Sequence, residues 1–142
     1  MLKRGLSSIL AMMIPDGLTT ETIQGQVVSK ANNYQVGGSS GKPQHIIKSP
    51  QLRLYERRFR EQCTIYKGRN IDRHFTLFVN VYESSTRYDL DNALKTILDC
   101  LQQVNAIKND NLCMKIVAEK HLDERNPRIV FAIQEHEPRL FG

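Results

Sequence analysis

A chain of 142 residues, of which 40% are hydrophobic and 25% charged, is long enough to bury the core of one compact domain, and this balance excludes disorder as its main character. Its 20 Lys and Arg residues exceed its 15 Asp and Glu residues, and the net charge of +5 favours a polyanionic partner such as nucleic acid. No apolar run approaches the roughly 18 residues of a membrane span, and the three cysteines lack the spacing of a zinc cluster or a disulfide framework. We therefore expect a protein of the reducing cytoplasm with no membrane partner.

Residues 1–20 are expected to form a leader or a short amphipathic helix, followed by a core domain at residues 21–137 and a tail at residues 138–142. The apolar residues of the leader repeat at helical spacing, at Leu6, Ile9, Leu10 and Met13. A signal peptide is the alternative, because two basic residues precede a short apolar stretch, but a small-residue cleavage site is lacking.

The stretch TIQGQVVS predicts a strand, because Ile23, Gly25 and Val27 alternate with the residues between them. The following NNYQVGGSSGKPQ is rich in Asn, Gly and Ser, which are typical of turns, and it predicts a loop. This loop is either a linker or a mobile segment that closes over a ligand.

A helix is predicted to start at Pro50, with Ser49 as its N-cap, because proline has no amide hydrogen to lose in the first turn. Its buried stripe is expected to consist of Leu52, Tyr55, Phe59 and Cys63. A different face carries Arg53, Arg57 and Arg60, which either follow the phosphates of a nucleic acid or are simply solvated.

The second half of the chain predicts a central strand, a long helix and two further strands. HFTLFVNVYE is apolar on both faces, as in a central strand. The apolar residues from Leu90 to Val104 then follow a helical period that should stop at Asn105. LCMKIVAEK and RIVFAIQE are joined by a polar turn and most simply form an antiparallel hairpin. The predicted fold is a single α+β (mixed α/β) domain, in which two main helices pack against a mixed sheet.

The stretch RYDLDNALK places two carboxylates at the start of this second helix. Asp89 suits an N-cap and Asp91 suits the positive end of the helix, but two carboxylates converging there repel each other unless a countercharge such as a divalent cation is present. Lys95 lies four residues after Asp91 and forms either an exposed ion pair or part of the same site. Asp110 is a third candidate ligand, although sequence spacing alone does not establish that it meets the other two.

The stretch DLDNALKTILDCLQ, followed by IKNDNLCMKIVAEK, resembles the signature of the RusA family of Holliday junction resolvases, the crossover junction endodeoxyribonucleases. The shared features are D-x-D-N, a lysine four residues after the second aspartate, a further Asp along the helix, and an acidic residue leading into a strand that ends near a lysine. The resemblance extends roughly from Gly25 to Glu135, with SKANNY and SPQLRLYE similar to the first loop and helix of the family.

The resemblance implies an endonuclease dependent on Mg²⁺, or on Mn²⁺ in its place, that acts as a homodimer on branched DNA and resolves four-way junctions by paired nicking. By motif position, Asp89, Asp91 and Asp110 are the catalytic metal ligands and Lys95 is the catalytic lysine. Asn92 matches as well and is expected to orient the turn. We expect the dimer interface near the central strand or the adjoining hairpin.

Six basic residues are candidates for contacts with nucleic acid, and Lys120 is among them because the family pattern has a lysine there: Lys30, Arg53, Arg57, Arg60, Arg87 and Lys120. Two other hypotheses remain. One is a structure-selective protein that binds branched DNA without cutting it, and the other is a small metal-binding structural protein. A protein that only binds DNA gains nothing from acidic residues that face the phosphates, so the acidic cluster favours the nuclease hypothesis.

Overall fold

The computed structural model describes residues 14–29, 34–37 and 45–137. In chain order the elements are β1 (Glu21–Gln24), β2 (Tyr34–Gly37), β3 (His45–Lys48), α1 (Pro50–Gln62), β4 (Phe75–Glu83), α2 (Leu90–Gln103), β5 (Cys113–Leu122) and β6 (Arg128–Glu135). Most of the expected leader and the expected tail lie outside the described residues. No helix in the described ranges is long and apolar enough to cross a membrane.

The main sheet has four strands in the order β1-β6-β4-β5, and β2 pairs with β3 in a separate two-stranded sheet. Strand β4 runs parallel to β5 and antiparallel to β6. The prediction of a mixed sheet with two helices in one α+β domain is confirmed. The predicted loop was wrong in part, because Tyr34–Gly37 within it forms β2.

The predicted hairpin was wrong, because β5 and β6 are not paired with each other but flank β4 on opposite sides. The reason lies in β4, whose residues are buried on both faces except at Tyr82. The backbone N–H and C=O groups of such a buried strand are removed from water and need hydrogen-bond partners, so the strand is paired along both edges. The turn after β5 therefore carries the chain across β4 to its other side.

Helix α1 begins as predicted, because the Ser49 side chain accepts a hydrogen bond from the Leu52 amide at 3.2 Å. Its apolar stripe faces the sheet, and the ring of Phe59 stacks on that of Phe131 with their centroids 6.3 Å apart. The predicted stripe is confirmed, since Leu52, Tyr55, Phe59 and Cys63 are all buried. This packing fixes α1 on one face of the sheet.

A buried carboxylate attaches β1 to the segment that follows α1. Glu21 accepts hydrogen bonds from the amides of Thr64, Ile65 and Tyr66 at 2.6, 2.9 and 3.0 Å. The strand was predicted to continue through Val27, but it ends at Gln24. Gly25 has a φ of 114°, which interrupts an extended strand and which side chains other than glycine rarely adopt.

Helix α2 ends at Gln103 with Val104 as its C-cap, and the predicted stop residue Asn105 follows with a φ of 56°. The amide of Ala106 bonds to the carbonyl of Leu101 and the amide of Asn105 to that of Gln102, which is the Schellman pattern of a helix end. Since β4 and β5 are parallel, α2 runs back from the end of β4 towards its start. The two ends of this helix therefore lie at opposite ends of the sheet.

Candidate active site

The two aspartates of the DLDN stretch lie where β4 turns into α2. Asp89 is the N-cap residue of α2, yet its side chain makes no capping hydrogen bond with the helix amides. Its carboxylate instead accepts a bond from the side chain of Asn92 at 3.4 Å. The hypothesis that Asp89 is only a helix cap loses its main support, because the oxygens that would cap the helix are not used for it.

Asp91 and Lys95 occupy the first turns of α2, and both are exposed. Within the described part of the chain, neither Asp89, Asp91 nor Lys95 takes part in an ion pair with N···O of 4 Å or less. The exposed ion pair considered for Asp91 and Lys95 is therefore not formed. Two carboxylates and one ammonium group thus face solvent at the start of the helix, where the carboxylates can bind a cation and the ammonium group, together with the positive helix end, an anion.

The loop between β4 and α2 is attached to its surroundings at several points. The Lys120 ammonium donates to the carbonyls of Thr86 and Tyr88 at 3.0 and 2.7 Å. The Gln26 side chain accepts bonds from the amide and the hydroxyl of Ser84 at 2.8 and 3.0 Å. Since Tyr88 immediately precedes Asp89, these contacts determine where the first aspartate is held.

Glu83 is a further acidic residue near this site, and it was not among the candidate residues predicted from the sequence. It is the last residue of β4 and only 1% exposed, and its Oε2 has no hydrogen-bond partner among the described residues. Burial raises the pKa of Glu83, the charge of Lys120 lowers it, and the charge of Asp89 raises it again. An acidic residue at an inward position of an apolar strand was the signal that could have revealed it.

Asp110 lies elsewhere in the chain. It opens the short 3₁₀ turn Asp110–Leu112 ahead of β5, and its amide donates to the side chain of Gln102 at 3.0 Å, near the end of α2. A helix rises about 1.5 Å per residue, so the eleven residues from Asp91 to Gln102 separate these ends by roughly 16 Å. Within the described ranges, no three His, Cys, Asp or Glu side chains are close enough to hold a metal ion. One chain therefore brings Asp89, Asp91 and Lys95 together but not Asp110, and metal ligation by the three aspartates stays a prediction.

The basic residues fall into two groups. Arg53, Arg57 and Arg60 are exposed along α1, with Arg57 weakly paired to Glu61 at 3.9 Å. Arg87 is exposed beside the site, with its guanidinium carbon 5.3 Å from the centre of the Tyr88 ring. Lys30 lies outside the described residues, and contacts of all these residues with DNA stay predictions.

Strand β5 is an edge strand, and the described residues place no partner along its outer side. The described part of the chain exposes four large apolar residues, and three of them lie on β5: Met114, Ile116 and Leu122, at 60%, 38% and 57%. An exposed edge with apolar side chains is a surface suited to pairing with another strand.

Comparison with known proteins agrees with the features of the site. The family model described as Endodeoxyribonuclease RusA matches residues 24–134. A crossover junction endodeoxyribonuclease RusA of Aquifex aeolicus (strain VF5) is 27% identical over 110 residues, which cover 75% of this chain and 83% of the relative. The matched segment includes β4, α2 and β5, and with them all four candidate catalytic residues. The chain belongs to the RusA family of endodeoxyribonucleases.

Proposed function

We propose that the protein is a Mg²⁺-dependent endonuclease that resolves four-way DNA junctions by paired nicking, and that it acts as a homodimer. Membership in a family of endodeoxyribonucleases supports the reaction type. The relative is named a crossover junction endodeoxyribonuclease, which supports a branched DNA substrate. The observation that carries the proposal is the pair Asp89 and Asp91, which is used neither for helix capping nor for ion pairing.

These two aspartates fit a magnesium ion. Mg²⁺ prefers carboxylate oxygens and keeps several of its waters, so a small, open set of aspartates suits it better than a closed cage. When bound, the ion supplies a Lewis acid and lowers the pKa of a bound water. Mn²⁺ accepts the same oxygen ligands and is expected to replace it.

The third aspartate is proposed to come from a second copy of the chain. If two β5 strands pair edge to edge in antiparallel orientation, the start of each strand lies beside the end of the other. Asp110 precedes the start of β5, whereas Lys120 near its end contacts the loop that leads into Asp89. The pairing therefore moves Asp110 of the second copy towards Asp89 and Asp91 of the first, and the two-fold symmetry creates two such sites.

This arrangement also covers surface that one chain leaves exposed. Ile116 pairs in register with Leu77 and therefore lies on the helix side of the sheet, yet it is 38% exposed. A second sheet edge would bury it together with Met114 and Leu122. The interface was expected near the central strand or the hairpin, and β5 is one of the two strands of that predicted hairpin.

The remaining residues act on the DNA. Lys95 is exposed one turn after Asp91 and is proposed to stabilise the negative charge that develops on the scissile phosphate or the leaving oxygen. Arg53, Arg57, Arg60, Arg87 and Lys30 are proposed to bind the phosphates of the junction arms. Two sites related by a two-fold axis suit a junction, whose resolution needs nicks in two symmetry-related strands.

The proposal is tested with a labelled synthetic four-way junction and a linear duplex of matched sequence, each incubated with the protein in Mg²⁺ or in EDTA. We expect paired nicks in the junction only when Mg²⁺ is present, and little cleavage of the duplex. Binding of the junction without cleavage in Mg²⁺ or Mn²⁺ would instead identify a structure-selective binding protein. Equal cleavage of both substrates would refute junction selectivity.

A further inference from the structure

Lys120 lies on β5 opposite Val81 of β4, on the face of the sheet that carries the helices. Its ammonium group has three protons, and two of them are donated to the carbonyls of Thr86 and Tyr88 at 3.0 and 2.7 Å. Both carbonyls belong to the loop that connects β4 to α2. A group used in this way has at most one proton left for a phosphate.

Hydrogen bonds from a charged donor are shorter and stronger than those between neutral groups, and 2.7 Å is within their usual range. Lys120 therefore links β5 to the residue immediately before Asp89. Among the side-chain contacts that hold this loop, the bond to the Tyr88 carbonyl lies closest in sequence to Asp89.

Glu83 supplies a reason for the ammonium to stay in place. The two residues lie on the same face of adjacent strands, since Lys120 pairs with Val81 and Leu122 pairs with Glu83. Glu83 is buried and Lys120 is exposed, and the positive charge of Lys120 lowers the pKa of Glu83, so the two charges attract although water partly screens them. The Oε2 of Glu83 has no hydrogen-bond partner among the described residues, and the positive charge of Lys120 favours the ionised form of this carboxyl group.

We infer that Lys120 is a positioning residue, which holds the loop from Ser84 to Asp89 so that Asp89 and Asp91 are presented together to a metal ion. This inference rests on the proposed function for the role of the aspartates. It replaces the expectation that Lys120 acts mainly as a phosphate contact. A lysine that contacts phosphate would contribute to the salt dependence of DNA binding, whereas a lysine that holds a loop would not.

The test compares Lys120→Met, which keeps the apolar stem and removes the donors, with Lys120→Arg, which can still donate to two carbonyls. Lys115→Met is the matched control, because Lys115 is exposed on the same strand but faces the other side of the sheet. Hydrogen exchange of the amides in residues 84–91 is measured first, without DNA or metal. We expect exchange about tenfold faster in Lys120→Met and near wild type in Lys120→Arg and Lys115→Met.

Two further measurements separate a positioning role of Lys120 from a phosphate-binding role. The Mg²⁺ concentration that gives half of the thermal shift should rise several-fold in Lys120→Met and recover in Lys120→Arg. The slope of log affinity for junction DNA against log salt should stay at its wild-type value in Lys120→Met. A slope smaller by about 0.9 together with unchanged exchange would identify a phosphate contact and overturn the inference.

The exchange measurement also separates this inference from the proposed function. If the wild-type protein neither cleaves junctions nor responds to Mg²⁺, the proposed function fails. Faster hydrogen exchange in Lys120→Met would still support the role of Lys120 in positioning the loop. If the wild-type protein is active and Lys120→Met exchanges as slowly as wild type, the proposed function stands and the positioning role is refuted.

Discussion

Replacing Glu21 by alanine should destabilise the protein strongly, because one carboxylate holds three amides. It is 4% exposed and accepts the amides of Thr64, Ile65 and Tyr66, together with a weaker bond from the thiol of Cys63 at 3.3 Å. Each hydrogen bond to a charged group contributes about 1.5–3 kcal/mol, and water can reach part of the exposed loop after truncation. We expect the free energy of unfolding to fall by roughly 3 kcal/mol, which corresponds to a melting temperature lower by roughly 10 °C.

The loss should depend on pH. Burial alone would raise the pKa of Glu21, but the amides of Ile65, Tyr66 and Thr64 outweigh it and leave the pKa below its ordinary value of 4.5. A lowered pKa stabilises the folded state fully above the ordinary value, and that stability is lost as the pH falls towards the folded value. The difference between wild type and Glu21→Ala should therefore be full at pH 7 and shrink below 4.5.

Thermal melts at pH 7 and at pH 3.5 measure this difference, with Glu124→Ala as the control because Glu124 is exposed in the turn after β5. A melting temperature for Glu21→Ala equal to that of the control would refute the reasoning. A loss of the same size at both pH values would show that the ionised carboxylate is not its source.

Three predictions concern the site itself. Asp89→Asn and Asp91→Asn should each slow cleavage by more than about 100-fold, because each removes a metal ligand. Both variants should still bind the junction, since a neutral side chain repels phosphate less than a carboxylate does. The control Asp72→Asn, in an exposed loop, should cut at the wild-type rate. Lys95→Met should slow single-turnover cleavage by roughly 100-fold and leave the thermal shift caused by Mg²⁺ unchanged; unimpaired cleavage would make it an ordinary surface lysine. Glu83→Gln should stabilise the protein at pH 7 by about 1 kcal/mol, since a buried carboxylate with a raised pKa destabilises the fold once it ionises. Melts should show that this gain shrinks as the pH falls from the raised pKa of Glu83 towards the ordinary value of 4.5 and is absent below 4.5, and a gain that persists there would contradict the prediction.

The helices were predictable because their signals are local. The hydroxyl of Ser49 and the ring of Pro50 determine the start of α1, and the apolar period determines α2 up to Asn105. Each signal acts within one or two turns of chain. The outward aspartates could be predicted for the same reason, since their spacing at one helix start is local as well.

Strand partners could not be predicted in this way, because pairing depends on which edges remain available in the folded sheet. The polar turn before Arg128 fits a hairpin, yet β4 separates β5 from β6. The place of Asp110 follows from the same topology, since a parallel crossover puts it at the opposite end of α2 from Asp91. The contact of Lys120 with Tyr88 joins residues 32 positions apart, and no local pattern indicates it.

The most direct test of a metal site shared between two chains is the nicking activity of mixed dimers. Homodimers of Asp89→Asn chains and homodimers of Asp110→Asn chains are both expected to be inactive. In a mixed dimer, one site carries both substitutions and the other site has all three aspartates. After random reassociation about half of the dimers are mixed, so nicking should return to about a quarter of the wild-type rate, without paired resolution. A mixture of Asp89→Asn with Asp91→Asn is the control and should stay inactive, because each of its sites lacks one ligand. If the first mixture is as inactive as the control, the metal site is not shared between two chains.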